Sequence, residues 1–233
     1  KQQFENVAQK LGFNSVHNQK KALAQIIKNY VGNGGFLFAM CSATDSFDIA
    51  LSVSNIDAVH SVFDGTPIDS EIQKKINYEN SLAFSGFKII SDPMVYEYSD
   101  IDYPPSNDVL VRGAEADYFS LFEFSAKYDP VPTMLTQNHA PVIKGFMGQT
   151  TGFHRNKIKK HILIMGEDRT TPQVKYLHGN YGKGTFTFLG GHDPEDYQHF
   201  VGDPQTDLSL HQNSPGYRLI LNNILFPAAK KKE

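Results

Sequence analysis

Gly32-Asn33-Gly34-Gly35-Phe36-Leu37-Phe38-Ala39-Met40-Cys41-Ser42-Ala43-Thr44-Asp45 is the stretch from which the fold is read. Glycine and asparagine tolerate the left-handed conformation that ends a helix, so 32–35 predicts a helix stop. The apolar run from Phe36 to Met40, bounded by glycine, predicts a short strand covered on both faces, as parallel strands are. Cys41 leaves that strand without a spacer, and Phe47, Ile49, Ala50, Leu51 and Val53 beyond it predict a helix. Helix, stop, buried strand, small polar turn, helix is the order of an α/β sheet with parallel strands.

Upstream, Ala22, Leu23, Ile26, Ile27 and Tyr30 line one face of a helix over 18–31. Residues 1–10 read as the middle of an amphipathic helix, with Phe4, Val7, Ala8 and Leu11 at helical spacing. So abrupt a start leads us to expect an earlier portion of the same domain. Downstream, 55–130 reads as an irregular, insertion-like region of the one α/β domain. Within it Phe63-Asp64-Gly65-Thr66-Pro67 predicts a turn, 69–79 a short helix, and 82–90 and 94–98 strands. The Asp- and Pro-rich 100–108 is expected to be a loop at a site edge, and 121–128 fits helix or strand. Strands are predicted at 161–165, 174–178 and 185–189, the last two joined by a turn over 179–184. A closing helix is predicted over 217–226, and Lys230 to Lys232 reads as a solvated tail.

The totals exclude several classes. Of 233 residues 40% are hydrophobic and 20% charged, with a net charge of −3, which gives no electrostatic case for a nucleic-acid partner. No run approaches the ~20 apolar residues of a membrane helix, so a soluble protein is expected, cytoplasmic or periplasmic. A single cysteine excludes an internal disulfide and a multi-cysteine zinc site. His139, His154, His161 and His178 lack zinc spacing, and Asp100, Asp102 and Asp108 lack a glycine-centred calcium loop. No metal or cofactor is expected.

Two strand ends carry the candidate chemistry. Ligands of open α/β sheets gather beyond the carboxyl ends of the strands, and Cys41 follows directly on one. A helix beginning there favours the thiolate and offers backbone N–H groups to an oxyanion. The plain alternative is a packed structural cysteine. His192 follows a second strand after Gly190 and Gly191, with Asp193 and Glu195 placed to orient its ring. A thiol nucleophile needs a nearby base, so the two positions support each other. Ser42, Asp45 and Gly191 complete the expected substrate contacts, and Tyr181 and Tyr197 are placed to stack on a sugar ring.

Gly34 to Cys41 resembles the nucleophile strand and elbow of the class I glutamine amidotransferase-like fold. Tyr181-Gly182-Lys183-Gly184-Thr185-Phe186-Thr187-Phe188-Leu189-Gly190-Gly191-His192-Asp193-Pro194-Glu195 resembles the last strands of ThuA-like proteins, a branch linked to trehalose utilisation. The chain also resembles bacterial proteins catalogued as asparagine synthetase B, although no glycine-rich, Asp-containing nucleotide loop is visible. The resemblance implies a three-layer, flavodoxin-like domain, a mostly parallel sheet with helices on both faces, whose earlier β-α units would precede these residues. It departs from a glutaminase in that Met40 and Ser42, not glycines, flank the cysteine. Pro194 also stands where the triad carboxylate would be.

Two readings follow. One is a Cys41-dependent hydrolase or amidotransferase-like enzyme with His192 as base and Glu195 or Asp193 orienting it. The other is a non-catalytic ThuA-like protein that binds a carbohydrate or related small molecule. A domain kept for assembly, with a degenerate site, is a third. An amide or sugar ligand is expected, and a homo-oligomer is compatible with either.

Overall fold

Phe36–Met40 forms the strand expected of it, β1, at one end of the sheet order β1-β7-β6-β5-β2-β3. The computed structural model describes residues 1–103, 118–122, 140–144, 150, 152–195, 202–225 and 227. The other strands are β2 (Phe119–Leu121), β3 (Val142–Ile143), β4 (Phe153–His154), β5 (Leu163–Glu167), β6 (Gln173–Tyr181) and β7 (Gly184–Leu189). β4 pairs with β6 off the main path.

The α/β class holds, but the expected mostly parallel sheet does not. Only β1 and β7 run parallel, and the other pairings among the described residues are antiparallel. An apolar run reports that both faces of a strand are covered, and it says nothing of its neighbour's direction. The β6–β7 connection is also tighter than the expected 179–184 turn. Tyr181 pairs with Gly184, leaving a two-residue hairpin with Gly182 at φ 59°. A Cβ on Gly182 would lie 2.5 Å from the Gly32 carbonyl, so glycine lets the hairpin press on the preceding helix end.

The helices are α1 (Gln2–Lys10), α2 (Val16–Gly32), α3 (Ala43–Ser52), α4 (Ser61–Asp64), α5 (Ile72–Lys75) and α6 (Pro215–Leu225). The Ser15 hydroxyl caps α2 by accepting the Asn18 N–H at 3.3 Å, and Ser214 does the same for Tyr217 of α6. Leu37 and Ala39 join Ala24 of α2, Leu51 of α3, Phe186 and Phe188 in one core cluster. Phe38 and Met40 pack with Leu189 and with Leu219 of α6 in another. Alternate strand residues point to opposite faces, so α2 and α3 cover one side of the sheet and α6 the other.

Residues 82–90 and 94–98 form no ladder. Isolated bridges join Phe84 to Ile158 and Ile89 to Ser99. The helix expected over 69–79 shrinks to α5 and a 3-10 turn at Tyr78–Asn80. This region is instead held by side chains. Asp48 of α3 accepts the N–H groups of Leu82, Ala83 and Phe84 at 2.7, 2.7 and 2.9 Å. Lys28 donates to the Asn80 carbonyl, and Lys159 to those of Tyr78 and Ser81. Of 121–128, Leu121 is strand and Phe122 follows it; 123–128 lie outside the described residues. No described helix is long and apolar enough to cross a membrane.

Candidate functional site

Cys41 has φ 54°, the one non-glycine residue in the left-handed region among those described. For a residue with a Cβ this conformation is strained. It persists because both sides of the turn are tied down. The Cys41 N–H donates to the Leu189 carbonyl at 3.0 Å, and its own carbonyl accepts the N–H and hydroxyl of Thr44 at 3.1 and 2.7 Å. The thiol residue is half-buried and stands at the start of α3, whose N-cap residue Ser42 makes no side-chain cap bond. The Ser42 carbonyl is engaged by Ser46.

Met40 pairs with Leu189 in the parallel ladder, so the two strands end together. Gly190 and Gly191 therefore leave β7 beside Cys41. The Gly190 N–H donates to the Lys175 carbonyl at 2.8 Å, and the Gly191 N–H to the Thr150 carbonyl at 2.7 Å, with Gly191 at φ 75°. His192 comes next and is exposed. No hydrogen bond joins its ring to the Cys41 thiol.

The carboxylates expected to orient His192 face elsewhere, which corrects that part of the expectation. Asp193 accepts the hydroxyls of Tyr217 and Thr206 at 3.0 and 3.1 Å. Burial, then Asp193 itself, pushes the Tyr217 phenol up to about 12. Glu195 lies 3.8 Å from the ring of His211. Both acids thus tie the segment after β7 to α6 and its approach.

Tyr181 lies far from Cys41. It stands at the opposite end of β7, roughly 17 Å from Cys41 at ~3.4 Å per residue, under Lys28, whose Nζ is 5.1 Å from the ring centroid. Tyr197, Asp108 and His139 lie outside the described residues. Asp100 pairs with Lys157 at 2.7 Å and accepts the Lys88 N–H. His178 is half-buried against the Thr187 hydroxyl at 2.9 Å, and its partial burial pushes it down to about 4.

Asp45 is placed beside the turn, on the first turn of α3. It is 1% exposed. Its Oδ1 accepts the Thr150 hydroxyl at 3.2 Å and its Oδ2 has no partner. Burial pushes the carboxyl up to about 7, against the lowering effect of the Ser46 N–H and the Thr150 hydroxyl.

Sequence reasoning missed two neighbours. Thr150 touches both strand-end segments. Tyr96 stands close enough that, after burial, the acidic groups of Cys41 and Asp102 raise its phenol. The 94–98 alternation marked Tyr96 as facing the same way as Met94 and Tyr98, and nothing local marked Thr150.

Two features lie away from the turn. His17, Asp57 and Asp64 bring ligand-type atoms within 4.8 Å of one another. Their groups are already engaged: His17 with Asp64, Thr66 with both acids, and the Val59 N–H with Asp57. They form a staple between α2 and the 57–66 loop. A cavity of about 760 Å³ between α1, α2 and α3 is walled by Phe4, Val16, Ile49, Val53 and Phe63, and Cys41 is not part of it.

Compared with family models, with curated proteins and with solved structures, the chain matches none.

Proposed function

We propose that this protein is a thiol-dependent hydrolase or amidotransferase-like enzyme with Cys41 as nucleophile. The observation that carries the reading is the φ of 54° at Cys41, on a turn between a half-buried strand and a helix. A strained nucleophile turn of this kind presents its reactive atom at the edge of a sheet while the following helix supplies N–H groups. The parallel β1–β7 pair is, in this proposal, the counterpart of the parallel centre of a class I glutamine amidotransferase-like, flavodoxin-like domain.

In the proposed reaction the Cys41 sulfur attacks the carbonyl carbon of an amide or ester. The N–H groups of Ser42 and Ala43 hold the resulting oxyanion. His192 takes the thiol proton and passes it to the departing amine or alcohol, leaving a thioester. A water then loses its proton to His192, adds to the thioester carbon, and releases the acid and the thiol. The exposed His192 ring reaches the sulfur in the substrate complex, since catalytic hydrogen bonds commonly tighten only there.

The test is iodoacetamide labelling of Cys41 between pH 5 and 9, with and without His192→Ala. The proposal expects labelling at pH 7 about tenfold faster than that of free cysteine, slowed by the substitution. Slow labelling indifferent to His192 overturns it and turns attention to ligand binding without thiol chemistry.

A further inference from the structure

We propose that Asp45 is the positioning residue of the Cys41 site, holding the thiol turn and the His192 segment in register through Thr150. The inference rests on the proposed thiol reaction for its purpose, but on geometry for its substance.

Cys41 and His192 leave separate strands, and past Leu189 the ladder no longer aligns them. Cys41 itself is the last residue tied to β7, through the Leu189 carbonyl. Beyond it the described link is a relay. The Asp45 carboxyl, on the first turn of α3, holds the Thr150 hydroxyl at 3.2 Å. The carbonyl of the same Thr150 holds the Gly191 N–H at 2.7 Å, one residue before His192. Thr150 and Asp45 are 1% exposed, so water does not compete for these bonds.

The large majority of buried side-chain polar atoms have a hydrogen-bond partner. Asp45 Oδ2 is not filled. An unsatisfied buried carboxyl oxygen is destabilising, and its retention four residues after the strained cysteine fits a site residue better than a scaffold residue. Burial favours the neutral acid, and that form still accepts the Thr150 hydroxyl. Among the described residues the groups acting on Asp45 are the Ser46 N–H and its own N–H, the Thr150 hydroxyl across from it, and Asp48 on its own helix, which raises it further.

The test compares Asp45→Ala, Asp45→Asn and Thr150→Val in the full chain, by amide hydrogen exchange at Gly191 and by Cys41 labelling with and without His192→Ala. Loss of the relay is expected to speed Gly191 exchange about tenfold in Asp45→Ala and Thr150→Val, with Phe186 and Phe188 unchanged. Asp45→Asn keeps an acceptor oxygen and is expected within about threefold of the parent. In Asp45→Ala and Thr150→Val the His192→Ala substitution no longer alters the labelling rate.

Unchanged Gly191 exchange in Thr150→Val, with Phe186 and Phe188 still protected, overturns the proposal even where Asp45→Ala does not fold. If Gly191 loosens as expected but the parent's labelling never depended on His192, the positioning holds and the thiol enzyme fails.

Discussion

Asp45 and Asp48 lie three residues apart on the buried side of α3, 1% and 0% exposed. Asp48 spends both oxygens on the backbone N–H groups of Leu82, Ala83 and Phe84. The same loop is gripped at its carbonyls by Lys28 and Lys159. Asp45 Oδ1 accepts the Thr150 hydroxyl, the Ser46 N–H also favours its charged form, and its Oδ2 has no hydrogen-bond partner among the described residues. Two identical residues under the same burial are thus used in opposite ways. The satisfied acid fastens an irregular segment that has no ladder of its own. The half-satisfied acid sits where the backbone is also strained, at Cys41. Strain and missing bonds gathered at one end of a helix separate a site from its scaffold.

The largest effect expected to sharpen this contrast is at Asp48. Asp48→Ala strands buried N–H groups and removes the carboxylate that favours the charged form of Lys159, a loss of about 3–5 kcal/mol. Urea unfolding measures it. A loss below about 1 kcal/mol would show that water replaces the carboxylate, and the contrast would collapse.

Asp45 is expected to act through pH. Its folded carboxyl titrates at about 7, whereas an unfolded aspartate does so near ~3.9. Between those values the folded protein holds a proton that the unfolded chain has lost. The stability from Asp45 is therefore complete below about pH 4 and gone above about pH 7, a change of up to roughly 4 kcal/mol. The unfolding free energy of the parent minus that of Asp45→Asn should fall over this window. The subtraction removes most of the contribution of Asp48, which is also raised, to about 6. A flat difference would mean that Asp45 is ionised throughout, like an ordinary acid.

The smallest effect is at the strained turn itself. Cys41→Gly removes the Cβ from a left-handed position and is expected to raise stability by about 1 kcal/mol, read as an increase in Tm. Cys41→Ala keeps the Cβ and should not. If the two variants melt together, the turn stores no strain, and only the unfilled oxygen distinguishes the two ends of α3.

Much of this was legible in the chain because it is local. The apolar run at Phe36–Met40, the glycine stop before it and the helix after Cys41 each depend on residues within a few positions of one another. The helices at Val16–Gly32 and Pro215–Leu225 follow from side-chain spacing alone. So does the hairpin of β6 and β7, although Gly182 tightens it beyond the expected turn. The prominence of Cys41 also came from position: a polar residue directly after an apolar strand.

The relations between distant segments are another matter. Strand direction is set by how the chain returns, so the apolar Phe36–Met40 fits a largely antiparallel sheet as well as a parallel one. Tyr181 is carried to the far edge by the hairpin that was itself foreseen. Asp193 and Glu195 follow His192 in sequence, yet Tyr217, Thr206 and His211 reach them first. Thr150 meets Asp45 across 105 positions, and no periodicity records such a meeting. Backbone preference and side-chain spacing act over a turn or two of chain. A buried hydrogen bond forms wherever packing brings donor and acceptor together, and only the folded chain specifies that place.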